Sequence, residues 1–198
     1  MPSLHLIRHA RPALDPTTPA GEWHLAADGS VDALRRSAAL PETAAWFTSP
    51  EPKARETAAL LGPASATVVA DLREAGRGDG WFADPAAFER AVAGFLTDGT
   101  IPPGLAWETR AAVTARIVAA VEGILAANPG RDCVVVGHGT ALTLLVASLT
   151  GAAPDAVAWR SLAMPDHCSF AREPDRLRWL SRWGEWRRGV QSRHGSGR

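Results

Sequence analysis

The sequence predicts an α/β fold: a three-layer α/β/α sandwich built on a mostly parallel central sheet. Three observations carry this prediction. Short apolar runs rich in β-branched residues alternate with longer segments of helical spacing along most of the 198 residues. Two of these runs end in histidine, at Arg8-His9 and at Gly137-His138-Gly139. Ligands of such sheets sit beyond the carboxyl ends of the strands, so the two imidazoles are expected at one edge of the sheet.

The elements follow in chain order. Leu4, Leu6 and Ile7 form a buried first strand ending at Arg8-His9. Pro12, Pro16, Pro19 and Gly21 make residues 10–28 a loop. Val31, Leu34, Ala38 and Leu40 suit an amphipathic helix from Gly29 to Leu40, capped by Asp28 or Ser30. A strand at Ala44 to Thr48 is stopped by Ser49-Pro50-Glu51-Pro52, which opens a helix to Leu61, since proline is tolerated in a first turn. Thr67 to Ala70 is a third strand, and residues 71–84 are a long glycine-rich loop. Asp84 caps a helix from Pro85 to Leu96. The longest helical pattern, Trp107 to Ala127, ends at Asn128-Pro129-Gly130. Cys133 to Val136 is a strand and Thr140 to Leu149 a helix, after which Cys168 to Ala171 and Leu177 to Leu180 form a hairpin about Glu173-Pro174-Asp175.

Residues 1–190 are expected to form one domain, with 191–198 a flexible tail. Apolar residues make up 46% and charged residues 21%, a globular balance, and the net charge is zero. A nucleic-acid partner would call for a basic excess, and here only the C-terminal end is basic, at Arg182, Arg187, Arg188, Arg193 and Arg198. The opening MPSLHLIRHA lacks a signal peptide's features and no window has the apolar length of a membrane span. A cytoplasmic protein without a membrane partner is therefore expected, with Cys133 and Cys168 as buried reduced thiols.

Neutral imidazole is a competent nucleophile toward phosphorus, and the transferring group then needs positive charge around its oxygens. Arg8 stands next to His9 and can grip two phosphate oxygens at once. His138 adds a second imidazole, and Gly139 opens a helix whose amides favour an anion. Lys53, the only lysine of the chain, lies in the first turn after Pro52 and can present a point charge to the same pocket. Each has a plainer alternative: a strand-end histidine bonded to backbone, a tight turn at Gly137-His138-Gly139, a surface ion pair for Arg8, a solvated lysine. No cluster of helical spacing makes the histidines metal ligands. A dinucleotide fingerprint beginning at Gly137 would need a glycine at Leu142, and no Gly-x-Ser-x-Gly occurs.

Five segments together carry a resemblance. LIRHA at 6–10, LAADGSVDAL at 25–34, SPEPKARETA at 49–58, Leu72-Arg73-Glu74 with its glycine-rich sequel, and VVVGHGTAL at 134–142 resemble, in order, the histidine phosphatase superfamily, also called phosphoglycerate mutase-like. The resemblance spans residue 4 to about 180. It implies hydrolysis of a phosphomonoester, in a small molecule or a phosphoprotein, through a phosphohistidine at His9. It implies phosphoryl binding by Arg8 and His138, proton transfer by Glu74, and no cofactor or metal. Phosphomutase chemistry, or phosphate binding with little turnover, are the alternatives. Three positions depart from the pattern: Ala10 replaces a glycine, Lys53 an arginine and Pro12 a hydroxyl residue. Arg55, two places along the helix from Lys53, should point elsewhere, and Pro12 argues against the mutase. Asp71 and Asp79 rival Glu74. Trp81 and Trp107 are expected to line a pocket, His24 to lie at the surface, and His5 to face away from Leu4 and Leu6.

Overall fold

A computed structural model describes residues 1–63, 65–78, 80–174 and 176–187. Asp79, Asp175, Arg188, Arg193, Arg198 and the expected tail 191–198 lie outside the described residues. The strands are β1 (Ser3–Arg8), β2 (Ala45–Thr48), β3 (Thr67–Val68), β4 (Cys133–Gly137), β5 (Asp166–Arg172) and β6 (Leu177–Ser181). They form one sheet in the order β3-β2-β4-β1-β5-β6. The pairs β3–β2, β2–β4 and β4–β1 are parallel, while β1–β5 and β5–β6 are antiparallel. Every residue of β4 is buried, as a strand inside a doubly covered sheet must be.

Helices α1 (Asp32–Ser37) and α2 (Pro52–Leu61) cover one face, where Leu34, Ala54 and Ala58 meet Ile7, Trp46, Val134 and Val136. The other face is larger. Helices α3 (Pro85–Asp98), α4 (Arg110–Ala127) and α5 (Gly139–Thr150) bring Phe95, Val113, Ile117 and Leu145 onto Leu4, Leu6, Val135 and Phe170. Each such buried side chain contributes about 1.5–3 kcal/mol of transfer free energy. The three expected layers follow from strands that are apolar on both sides.

Several boundaries differ from expectation. α1 is half the expected length, because Val31 takes the N-cap place and Ala38 turns extended, while Asp28 is drawn into an ion pair with Arg11. α4 begins three residues late: Thr109 caps it by accepting from Ala112 N at 3.2 Å, which leaves Trp107 as a loop side chain plugging the large core. β3 shrinks to two exposed residues before a 3-10 turn at Ala70–Leu72. A further helix, α6 (Ala156–Ser161), was not foreseen. Asp155 caps it, accepting from Val157 N and Ala158 N at 2.9 Å. Cys133 and Cys168 are buried free thiols, as expected, and burial pushes both thiol pKa values up.

Asp166 ties the end of the described chain to the sheet. Its buried carboxylate accepts from Ala163 N, His167 N, Gly184 N, Trp186 Nε1 and Arg187 Nη2, all at 2.7–2.9 Å. Across β1 and β5 it stands opposite Arg8. Among the described residues, no helix is long and apolar enough to cross a membrane.

Candidate active site

Arg8 pairs with Gly137 in the β1–β4 register, so the chain leaves both strands side by side. His9 N donates to Gly137 O at 3.0 Å, and the His9 and His138 rings stand 5.1 Å apart between centroids. His9 Nδ1 lies 2.7 Å from Ala10 O. A carbonyl oxygen can only accept, so Nδ1 carries the proton and Nε2 keeps its lone pair. Burial pushes the His9 pKa down to about 3, and the Arg8 and Lys53 cations push the same way, against the raising effect of the Ala10 contact. His9 is therefore a neutral imidazole near pH 7. Ala10 serves in the family's glycine position without strain, since among the described residues no residue other than glycine has positive φ. Its N–H donates to Thr57 Oγ1 at 2.9 Å, which fastens the turn after His9 to α2.

His138 caps the start of α5. Its Nε2 is 2.7 Å from Ser49 Oγ and 3.4 Å from Glu51 Oε1, while its buried Nδ1 has no partner among the described residues. Burial, reinforced by His9, Lys53 and Arg77, holds its pKa well below the ordinary value. Arg8 Nη1 donates to Leu162 O at 2.9 Å, and its Nε also lacks a partner. Gly139 leaves little room for a side chain: a Cβ there would lie 3.1 Å from Arg8 Nε and 3.2 Å from Trp159 Nε1.

Glu74 sits on the first turn of α5. It accepts from Thr140 N (3.1 Å) and Ala141 N (2.8 Å), and Arg77 Nη2 approaches to 3.4 Å. Burial pushes its pKa up, but Arg77, His138 and the backbone N–H groups outweigh that and hold it at about 2. The free site thus carries an ionised carboxylate on the helix end that was expected to attract phosphate. Lys53 is buried rather than solvated, its side chain only 6% exposed. Its Nζ donates to Ala20 O and Glu51 Oε2, each at 2.5 Å. Arg55 is exposed, as expected. Arg8, His9, Lys53, Glu74, His138 and Gly139 are all at this edge of the sheet. A model of the histidine phosphatase superfamily (branch 1) matches residues 4–185.

The chain belongs to the histidine phosphatase superfamily.

Solved structures agree on the fold. YhfR of Bacillus stearothermophilus superposes with a TM-score of 0.70 at 23% identity, covering 91% of this chain and 96% of its own. A mycobacterial glucosyl-3-phosphoglycerate phosphatase gives 0.69 at 20% identity, covering 92% and 97%. Phosphoserine phosphatase of Entamoeba histolytica, in complex with 3-phosphoglyceric acid, gives 0.70 at 18% identity, covering 91% and 96%. No curated protein matches the chain in sequence.

Within this histidine phosphatase fold, several site residues escaped the sequence reading. Glu51, read there as part of a strand stop, contacts three of the expected residues: it takes Lys53 Nζ, accepts from Glu74 N at 2.7 Å and faces His138. Arg77, three places after Glu74, donates to Thr140 Oγ1 at 2.8 Å and lies over the Phe88 and Trp107 rings, 5.0 and 5.6 Å from their centroids. No helical period links Glu74 and Arg77, which lie in a loop, so the sequence carried no signal for the pair. Arg116 on α4 donates to the carbonyls of Asp71, Arg73 and Glu74 at 2.8–2.9 Å, which fixes the loop carrying Glu74. Asp71 pairs with Arg73 in solvent and is no rival to Glu74. His24 is exposed and pairs with Glu56. Trp81, 47% exposed, meets Trp23 edge-on at 6.0 Å, whereas Trp107 is buried in the core.

Proposed function

We propose that this protein hydrolyses phosphomonoesters through a phosphohistidine at His9. The observation that supports it most is the state of His9: neutral, with its Nδ1 proton committed to Ala10 O and Nε2 unspent. In the reaction, the Nε2 lone pair forms the N–P bond as the ester P–O bond breaks. Arg8, Lys53 and the free nitrogen of His138 offset the phosphoryl charge. Glu74 is the proton donor. Its low pKa in the free site is set against burial by Arg77, then His138 and the N–H groups of Ala75 and Ala141, and a phosphate anion competing for those groups raises it. The proton enters with the substrate, since a monoester's second ionisation lies at about pH 6. Glu74 gives it to the leaving oxygen. As a carboxylate it then takes a proton from the water whose oxygen displaces His9 from phosphorus; phosphate leaves with that proton, and neutral His9 and the Glu74 carboxylate are restored.

The names of the mycobacterial and Entamoeba structures support hydrolysis, and a small phosphorylated acid or sugar acid as substrate. The test is phosphate release from p-nitrophenyl phosphate and from a panel of sugar, nucleotide, serine and protein monoesters, with acid-labile labelling of the enzyme. Wild type is expected to release phosphate and to trap label on His9. Release no greater than that of His9→Ala across the whole panel sinks the reading.

A further inference from the structure

We propose that Trp159 is a direct ligand of the transferred phosphoryl group, its indole N–H joining Arg8 in a donor cradle at Gly139. This rests on the proposed function. Trp159 is 6% exposed, and its Nε1 is fully buried without a hydrogen-bond partner among the described residues. A buried tryptophan ordinarily finds an acceptor for that proton, and since Trp107 Nε1 lacks one as well, it is position that distinguishes Trp159.

The position of the nitrogen says which acceptor it takes. Trp159 Nε1 and Arg8 Nε lie 3.2 and 3.1 Å from the same point, where a Cβ on Gly139 would stand. Arg8 Nε is buried and unpartnered too. Two spare donors, one of them cationic, therefore pack against the first residue of a 12-residue helix whose leading N–H groups add further donors. Such a cluster suits an oxyanion. Glu74 occupies the next two amides, those of Thr140 and Ala141, so an anion at Gly139 lies beside the proposed proton donor.

Packing alone does not call for the nitrogen. The ring leans on Phe88, 6.1 Å between centroids, a contact that does not use the nitrogen. The helix around it is shaped for the site. Leu162, which ends α6, supplies the carbonyl that aims Arg8. The same short element thus carries one donor and orients the other. Because the indole meets the phosphoryl oxygens and not the alcohol, its loss weakens every monoester alike.

The experiment follows the Nε1–H signals of the eight tryptophans in the 15N-labelled full chain as orthovanadate is added. The Trp159 signal is assigned by through-bond correlation and by its loss in Trp159→Phe. It is expected to shift as vanadate saturates. Trp159→Phe is expected to bind vanadate about 10- to 100-fold more weakly, the worth of one hydrogen bond to a charged acceptor, and to lose kcat/KM by a similar factor on each monoester. Its melting temperature should stay within a few degrees of wild type. A Trp159 signal that stays still while calorimetry shows vanadate binding overturns the proposal and leaves the phosphatase reading intact. If wild type neither binds vanadate nor turns over monoesters, both fall. The wild-type titration decides the question even if Trp159→Phe does not fold.

Discussion

Two pairs of buried histidines lie in this sheet, and only one is placed for chemistry. His9 and His138 leave the ends of β1 and β4 with ring centroids 5.1 Å apart. His5 and His167 face each other from within β1 and β5 at 5.2 Å, nearly parallel. Burial is the main cause that lowers the pKa of all four. Neutrality therefore does not separate the pairs, and neither does an unpartnered nitrogen, since His167 Nδ1 has none either. The surroundings do. His5 is tied through Ser3 to Asp132 and through its other nitrogen to His167, a closed polar chain inside the sheet. His9 and His138 have Arg8, Lys53 and Arg77 as neighbours, with Glu51 and Glu74 as counter-ions. A shifted pKa here marks burial, and it is the cations around a free lone pair that fit the proposed phosphate site.

The largest expected difference between the pairs is in turnover. His9→Ala should lower kcat/KM on p-nitrophenyl phosphate by on the order of 10⁴-fold or more, as loss of a covalent nucleophile does. His5→Ala, in the same strand, should change it less than about 10-fold and lower the melting temperature instead. Equal losses would erase the distinction. Next comes Glu74→Gln, expected to cost about 10²- to 10⁴-fold in kcat on an alkyl monoester. The loss should be smaller on p-nitrophenyl phosphate, whose leaving group departs without a proton. The same loss on both would mean that Glu74 does not donate.

Glu51→Gln sharpens the part played by charge. It removes the carboxylate that holds Lys53, so inorganic phosphate should inhibit about 10-fold more strongly, the worth of one charge-assisted contact. Weaker inhibition would make Glu51 a brace for Lys53 rather than its competitor. The smallest effect concerns both pairs at once. An unfolded histidine takes a proton near its ordinary value of 6.5, whereas folded His9 and His167 refuse it down to about 3. The unfolded state binds more protons across that window, so stability is fully present above it and is lost as pH falls through it. Glu74, depressed from 4.5 to about 2, adds its own loss only at lower pH. The melting temperature should therefore already drop between pH 6.5 and 4.5, and His167→Leu should flatten that slope. An unchanged slope would show that the second pair does not titrate with folding.

The elements that frame the site were legible because their residues are consecutive. LIRHA and VVVGHG each put an apolar strand directly before a histidine, and α2 begins and ends where Pro52 and Leu61 were expected. What stayed hidden depends on tertiary approach. α6 has six residues and buries one, Trp159, so it shows no helical period. Glu51 stands between two prolines and read as punctuation, though its side chain reaches three site residues. Lys53 was recognised by position, but its burial under Ala20 is a property of the loop folded over it. The low pKa of Glu74 likewise needs Arg77 folded back onto it and α5 in place, and α5 is more than sixty residues away in sequence.

Asp166 gives the far end of the chain a say in the near end. Three of its five donors belong to Gly184, Trp186 and Arg187, and across the sheet it faces Arg8. During synthesis the strand that leads into His9 emerges first, and residues 184–187 emerge long after it. Until they arrive, a carboxylate that is fully buried in the folded protein lacks three of its five donors, opposite Arg8. A chain cut before Gly184 is therefore expected to keep only two of the five donors to a buried carboxylate that stands opposite Arg8.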